Sequence, residues 1–95
     1  MVVGTLELCL RLQGCFSLKD KRRVLRSLMD RTRRDFAVSV AEVDDQDLWN
    51  SAVVGVACVG NEVAHVESVL GHALALFETH PEVEVEDAAR EIARR

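Results

Sequence analysis

Between Val2 and Leu12 the leucines fall on every second position: Leu6, Leu8, Leu10 and Leu12 share one face, and Thr5, Glu7, Cys9 and Arg11 share the other. Period two with a single leucine face describes a strand covered on one side only. The chain must therefore build a sheet and lay helices on one of its faces. Gln13-Gly14 ends the run.

Ser17 reads as a helix N-cap, and Asp20 three residues on makes a short-armed capping box. On a wheel of about 100° per residue, Leu18, Val24, Leu25, Leu28, Met29 and Thr32 form an apolar stripe. Lys19, Arg22, Arg23, Arg26, Arg33 and Arg34 occupy a separate arc of about 120°. Lys21 points into the apolar stripe, and its place in the first turn predicts an ammonium that passes the end of the sheet to water. The helix is expected over Leu18–Arg34.

Phe36 to Val43 is rich in β-branched residues, Glu42 to Asp47 is an acidic turn, and Trp49 to Val59 is a longer run of Val and Ala. Two such runs joined by a short polar stretch predict an antiparallel hairpin. Gly60-Asn61 breaks the pattern, with Asn61 expected to cap a second helix over Glu62–Thr79 that Pro81 terminates. Val63, Val66, Val69, Leu70, Ala73, Leu74 and Phe77 line one side of that helix. Val83 and Val85, set between Glu82, Glu84 and Glu86, predict a short edge strand. Asp87 to Arg95 reads as a short helix capped by Asp87.

The order β-α-β-β-α-β nests two β-α-β crossovers in one four-stranded antiparallel sheet, with two helices on one face. That is an α+β, ferredoxin-like sandwich with its first and third strands central. Ninety-five residues suit one such domain over 1–95, because splitting them leaves cores too small to hold.

Charge is divided unevenly. The first thirty-four residues carry nine bases and three acids, hence +6; the rest carry three bases and thirteen acids, hence −10, on a chain of net charge −4. A basic helix on an acidic protein points to an anionic partner met by one surface. Three cysteines, Cys9, Cys15 and Cys58, form no CxxC pair and are odd in number, as suits a reducing compartment. Glu7 and Arg11 interrupt the apolar N-terminal run, and no signal peptide or membrane span fits. The protein is expected in the cytoplasm.

Ser17-Leu18-Lys19-Asp20-Lys21-Arg22-Arg23, Ser39-Val40-Ala41-Glu42-Val43, Asp47-Leu48-Trp49 and His65-Val66-Glu67-Ser68-Val69 resemble, in order over nearly the whole chain, the YlxP-like family of small bacterial proteins. The resemblance implies a ferredoxin-like fold in a bacterial cytoplasmic protein. Genes of that family often lie beside those for ribosome-binding and translation initiation factors, which implies work with RNA or the ribosome. Gly60-Asn61 departs from the Ser-Asn expected there. The family brings no catalytic residues to carry over.

The residues themselves leave two function classes open. Lys19, Arg22, Arg23, Arg26 and Arg33 on one helix face suit consecutive phosphates of RNA; the plain reading is a solvated helix kept polar for solubility. Ferredoxin-like RNA-binding modules stack bases on aromatics of their central strands. Here the first strand offers Thr5, Glu7, Cys9 and Arg11, and the third offers either Ala52, Val54, Val56 and Cys58 or Val53, Gly55, Ala57 and Val59. None is aromatic, so that mode is excluded. An aliphatic open face suits self-association or a partner's sheet, and the second function class is a protein–protein interaction or regulatory module with no nucleic-acid role; a homodimer or higher assembly joined there is expected, with Thr5, Glu7, Cys9 and Arg11 at the interface.

The acidic turn lacks the Gly and terminal Glu of a calcium loop and reads as a solvated hairpin end. It also offers a counter-charge to the basic helix of a second molecule. His65 and His72 stand seven apart on the second helix rather than at the i, i+4 spacing of metal ligands. The five glycines make no phosphate loop. No metal, cofactor, small-molecule substrate or catalytic group is expected.

Overall fold

Three antiparallel ladders organise the molecule. In the computed structural model, which describes residues 1–95, β1 (Val2–Leu12) pairs on one side with β3 (Ser51–Gly60) and on the other with β4 (Val83–Arg94). β2 (Ser39–Asp44) completes the sheet beside β3, giving the order β2-β3-β1-β4. Helices α1 (Leu18–Asp35) and α2 (Val63–Glu78) supply the two crossovers. The arrangement is the α+β, ferredoxin-like one, with β1 and β3 central as the sequence predicts.

The leucine face of β1 is the buried one. Leu6, Leu8, Leu10 and Leu12 join Val24, Leu25 and Leu28 of α1 and Val66, Leu70, Ala73 and Phe77 of α2 in a single core. β3 turns Ala52, Val54, Val56 and Cys58 toward the helices, so Val53, Gly55, Ala57 and Val59 face outward. Gly4 is where α2 comes down onto β1. An added Cβ there would overlap Val66 Cγ1 and lie 2.8 Å from Leu70 Cδ1. Gly14 adopts a φ of 76° in the turn between β1 and α1, a backbone region that side-chain-bearing residues rarely enter.

The start of α1 is capped as its sequence predicts. Asp20 N–H donates to Ser17 Oγ at 3.1 Å, and Asp20 Oδ2 accepts from Phe16 N–H at 3.2 Å. The second cap differs from expectation: Glu62, not Asn61, holds the N-cap position of α2, and no side chain bonds the free amides. α2 is held by its apolar face instead, as is usual for helices whose stability comes from packing.

Residues 87–95 are the larger correction. They continue β4 to Arg94 rather than forming a helix, with a bulge where the register shifts between Cys9 and Leu10. A nine-residue helix is marginal alone, and without this strand the far edge of β1 would leave its amides and carbonyls unpaired. The segment therefore widens the sheet and does not fold across it.

Lys21 is corrected as well. Its side chain does not reach water: the residue is 1% exposed, and Nζ donates to the carbonyl oxygens of Asp45 and Leu48, each at 2.6 Å. Glu42 Oε2 lies 2.7 Å from the same ammonium, an ion pair off the hydrogen-bond angle, so this buried oxygen accepts no aligned bond. Asp45 sits at φ 61°, in the left-handed region, within the hairpin turn. The acidic turn is thus the receptor for the molecule's own helix. Trp49, expected within the strand, lies in the connection before β3.

Candidate cationic ridge and open sheet face

α1 presents its basic arc on the side away from the sheet, because the opposite stripe is used up by the core. Lys19, Arg22, Arg23, Arg26 and Arg33 are all exposed, as the wheel predicts. They are not equivalent. Arg23 pairs with Glu82 at 3.3 Å, tying α1 to the turn before β4. Arg33 is held by Asp30 Oδ1 at 3.2 Å and donates to Val40 O at 2.7 Å, across to β2. Arg31 and Arg34 share the Asp35 carboxylate.

Lys19, Arg22 and Arg26 make no ion pair or side-chain hydrogen bond within the molecule. They follow one another at i, i+3 and i+7, so they form one ridge about 10 Å long. The ridge flanks a shallow depression of about 570 Å³ lined entirely by polar side chains, among them Lys19, Arg22, Arg26 and Ser27. Asp20 and Asp30 are the acids beside it. The spacing alone identifies the arc. Arg31, Arg33 and Arg34 find their acids on α1 itself, and only Arg23 draws one from a remote segment, Glu82 in the turn before β4.

The open face of the sheet carries Thr5, Glu7, Cys9 and Arg11 together, as the alternation in β1 predicts. Arg11 pairs with Glu86 of β4 at 3.3 Å. Asp87 lies opposite Cys9 and Glu91 opposite Thr5, so β4 makes its half of the face acidic. The other half is aliphatic. Val43 and Val59 are 51% and 62% exposed, and Gly55 of β3 floors a groove of about 430 Å³ that runs from β2 across β3 to Thr5 and Glu7 of β1.

Burial pushes the Cys9 thiol up, and the neighbouring Asp87 charge adds to it. Cys15 and Cys58 are buried in the helix-facing core and are raised chiefly by desolvation. No three His, Cys, Asp or Glu side chains converge as metal ligands would. His65 and His72 are exposed; His72 stacks on Phe36 with centroids 6.1 Å apart. No helix is long and apolar enough to cross a membrane.

The sequence reading missed one feature of this end of the molecule. Phe16 and Trp49 meet beside the first turn of α1, with ring centroids 6.3 Å apart. The two are distant in sequence, so no local pattern announces the contact.

Comparison with known proteins agrees with the resemblance in the motifs. The uncharacterized protein YlxP of Bacillus subtilis (strain 168) is 37% identical over 68 residues, spanning 72% of this chain and 74% of that protein. The model of a family described as a protein of unknown function (DUF503) matches residues 3–90, and the chain therefore belongs to the DUF503 family.

Proposed function

We propose that the protein is a non-catalytic RNA-binding protein of the cytoplasm that meets its ligand with the ridge of Lys19, Arg22 and Arg26. The observation that carries the reading is that these three cations have no anion of their own, on a chain whose other Arg side chains on α1 all do. An acidic protein that leaves cations aligned on one ridge gains phosphate contacts there and repels polyanions elsewhere. Three unpaired cysteines support a reducing compartment.

Filter binding to RNA at two salt concentrations tests the reading. Three phosphate contacts with a single strand predict a log–log salt slope near −2, about a twentyfold loss of affinity over a fourfold rise in salt. Arg22→Glu with Arg26→Glu removes binding while leaving the fold intact. RNA binding that ignores both salt and these reversals sinks the proposal.

A second reading concerns the open sheet face and commits to a second copy of this chain. It is favoured by the exposed Val43 and Val59 around the Gly55 groove. Four strands about 4.8 Å apart, averaging about ten residues, give each copy one face of roughly 600 Å², so a face-to-face pair buries about 1,200 Å², enough for a specific dimer. Sedimentation equilibrium decides it: a single species of 10.6 kDa at micromolar concentration rules the dimer out.

A further inference from the structure

The fold uses two of its four aromatic side chains. Phe77 is buried in the core, and Phe36 is half-buried beneath His72. Phe16 and Trp49 are left in solvent, and they are left there together. Phe16 is the most exposed large apolar side chain at 80%, Trp49 is 44% exposed, and their ring planes are inclined at 33°. Exposed Leu48 lies beside Trp49. Scattered exposed hydrophobes need no explanation; a clustered aromatic pair on a small domain does.

Both halves of the pair are anchored to the first turn of α1. Phe16 gives its backbone N–H to Asp20 Oδ2. The connection carrying Trp49 is held by Lys21, whose ammonium takes the Leu48 carbonyl one residue earlier. The same turn projects Lys19, and the next turn Arg22, into solvent. The aromatic pair and the first of the unpaired cations, Lys19, are therefore both set at the first turn of α1, with the connection that carries Trp49 pinned by the buried Lys21.

We propose that Phe16 and Trp49 form a stacking platform for a nucleobase, and that the ligand is single-stranded RNA whose phosphates run along Lys19, Arg22 and Arg26. This rests on the RNA reading of the ridge and deepens it. The chemistry matches in both parts: a single strand offers an anionic backbone and free base faces within one nucleotide of each other, whereas a duplex keeps its bases stacked and presents phosphates alone. Because stacking tolerates any base, the platform selects single strands over duplexes without selecting sequence.

Trp49 is the chain's only tryptophan, so its fluorescence reports this platform directly. Titration of the wild-type protein with a short A-rich RNA oligonucleotide quenches its emission, and inorganic polyphosphate, which has charge but no bases, does not. Phe16→Ala and Trp49→Ala each lower affinity for the single strand about tenfold and leave duplex RNA binding unchanged. Trp49→Phe keeps most of the affinity. Emission unaltered at saturating RNA, or Trp49→Ala binding the single strand as wild type does, overturns the platform and leaves the cationic ridge standing. A wild-type protein that binds no RNA at all overturns the ridge and the platform with it.

Discussion

Replacing Lys21 by methionine isolates the contribution of a charge that the fold has taken out of water. Methionine keeps most of the aliphatic stem in place, so packing changes little and the loss is electrostatic. Two carbonyl bonds at 2.6 Å disappear, one of them leaving Leu48 O without a donor, while Asp45 O keeps the Leu48 N–H. Glu42 loses its partner at 2.7 Å, but its side chain is 20% exposed and rehydrates in part. Removing one member of a buried pair typically costs about 3–5 kcal/mol, and the partial exposure of Glu42 places this case at the lower end, about 3 kcal/mol. For a domain of this size each kcal/mol moves Tm by about 4–8 °C, so Lys21→Met is expected to melt about 12–24 °C below wild type. Circular dichroism melts measure it. Adding Glu42→Met restores part of the loss, because two apolar side chains replace a costly pair. A shift of less than about 4 °C would falsify the account, showing that desolvation of Lys21 cancels what its three oxygens contribute.

Gly4→Ala forces a methyl against Val66 and Leu70, and α2 must lift from β1; a destabilisation of about 1–3 kcal/mol in urea titrations is expected. An unchanged midpoint would mean that the helix shifts freely. Desolvation raises all three thiols in the folded chain, so above the ordinary thiol range, from about pH 8 upward, the unfolded chain gives up its thiol protons first. The thiols' contribution to stability is then full below about pH 8 and falls from there toward pH 10, and the urea midpoint is expected to fall with it. A midpoint that is level or rising over that range contradicts it. Among the thiols, half-buried Cys9 on the open face reacts first with a thiol reagent, and Cys15 and Cys58 react only on unfolding.

The corrections to the sequence reading have a common origin. The leucine face of β1, the α1 stripe with Thr32 inside it, and the Ser17 cap are all correct from the sequence, because each is set by neighbours within a few residues. The basic arc is legible for the same reason. Residues 87–95 misled because Ala, Arg and Glu suit a short helix, and only the open edge of β1 makes them a strand. Lys21 misled because its partners come from a turn more than twenty residues away. Reading the aromatics strand by strand excluded stacking on the sheet, and that holds, but it passed over two aromatics in loops that meet at the end of α1.

By itself, then, the chain's sequence determined the element order as far as the start of β4, the buried faces of β1 and the two helices, and the clustering of positive charge on one helix. These depend on periodicity, and periodicity is local. Tertiary structure alone decided that Arg23 is taken by Glu82, that Lys21 is buried as a pin on the hairpin turn, and that Phe16 and Trp49 share one surface. Each of these is a pairing between segments remote along the chain, and such pairings are selected by the packing of the sheet and helices as a whole, not by the residues on either side.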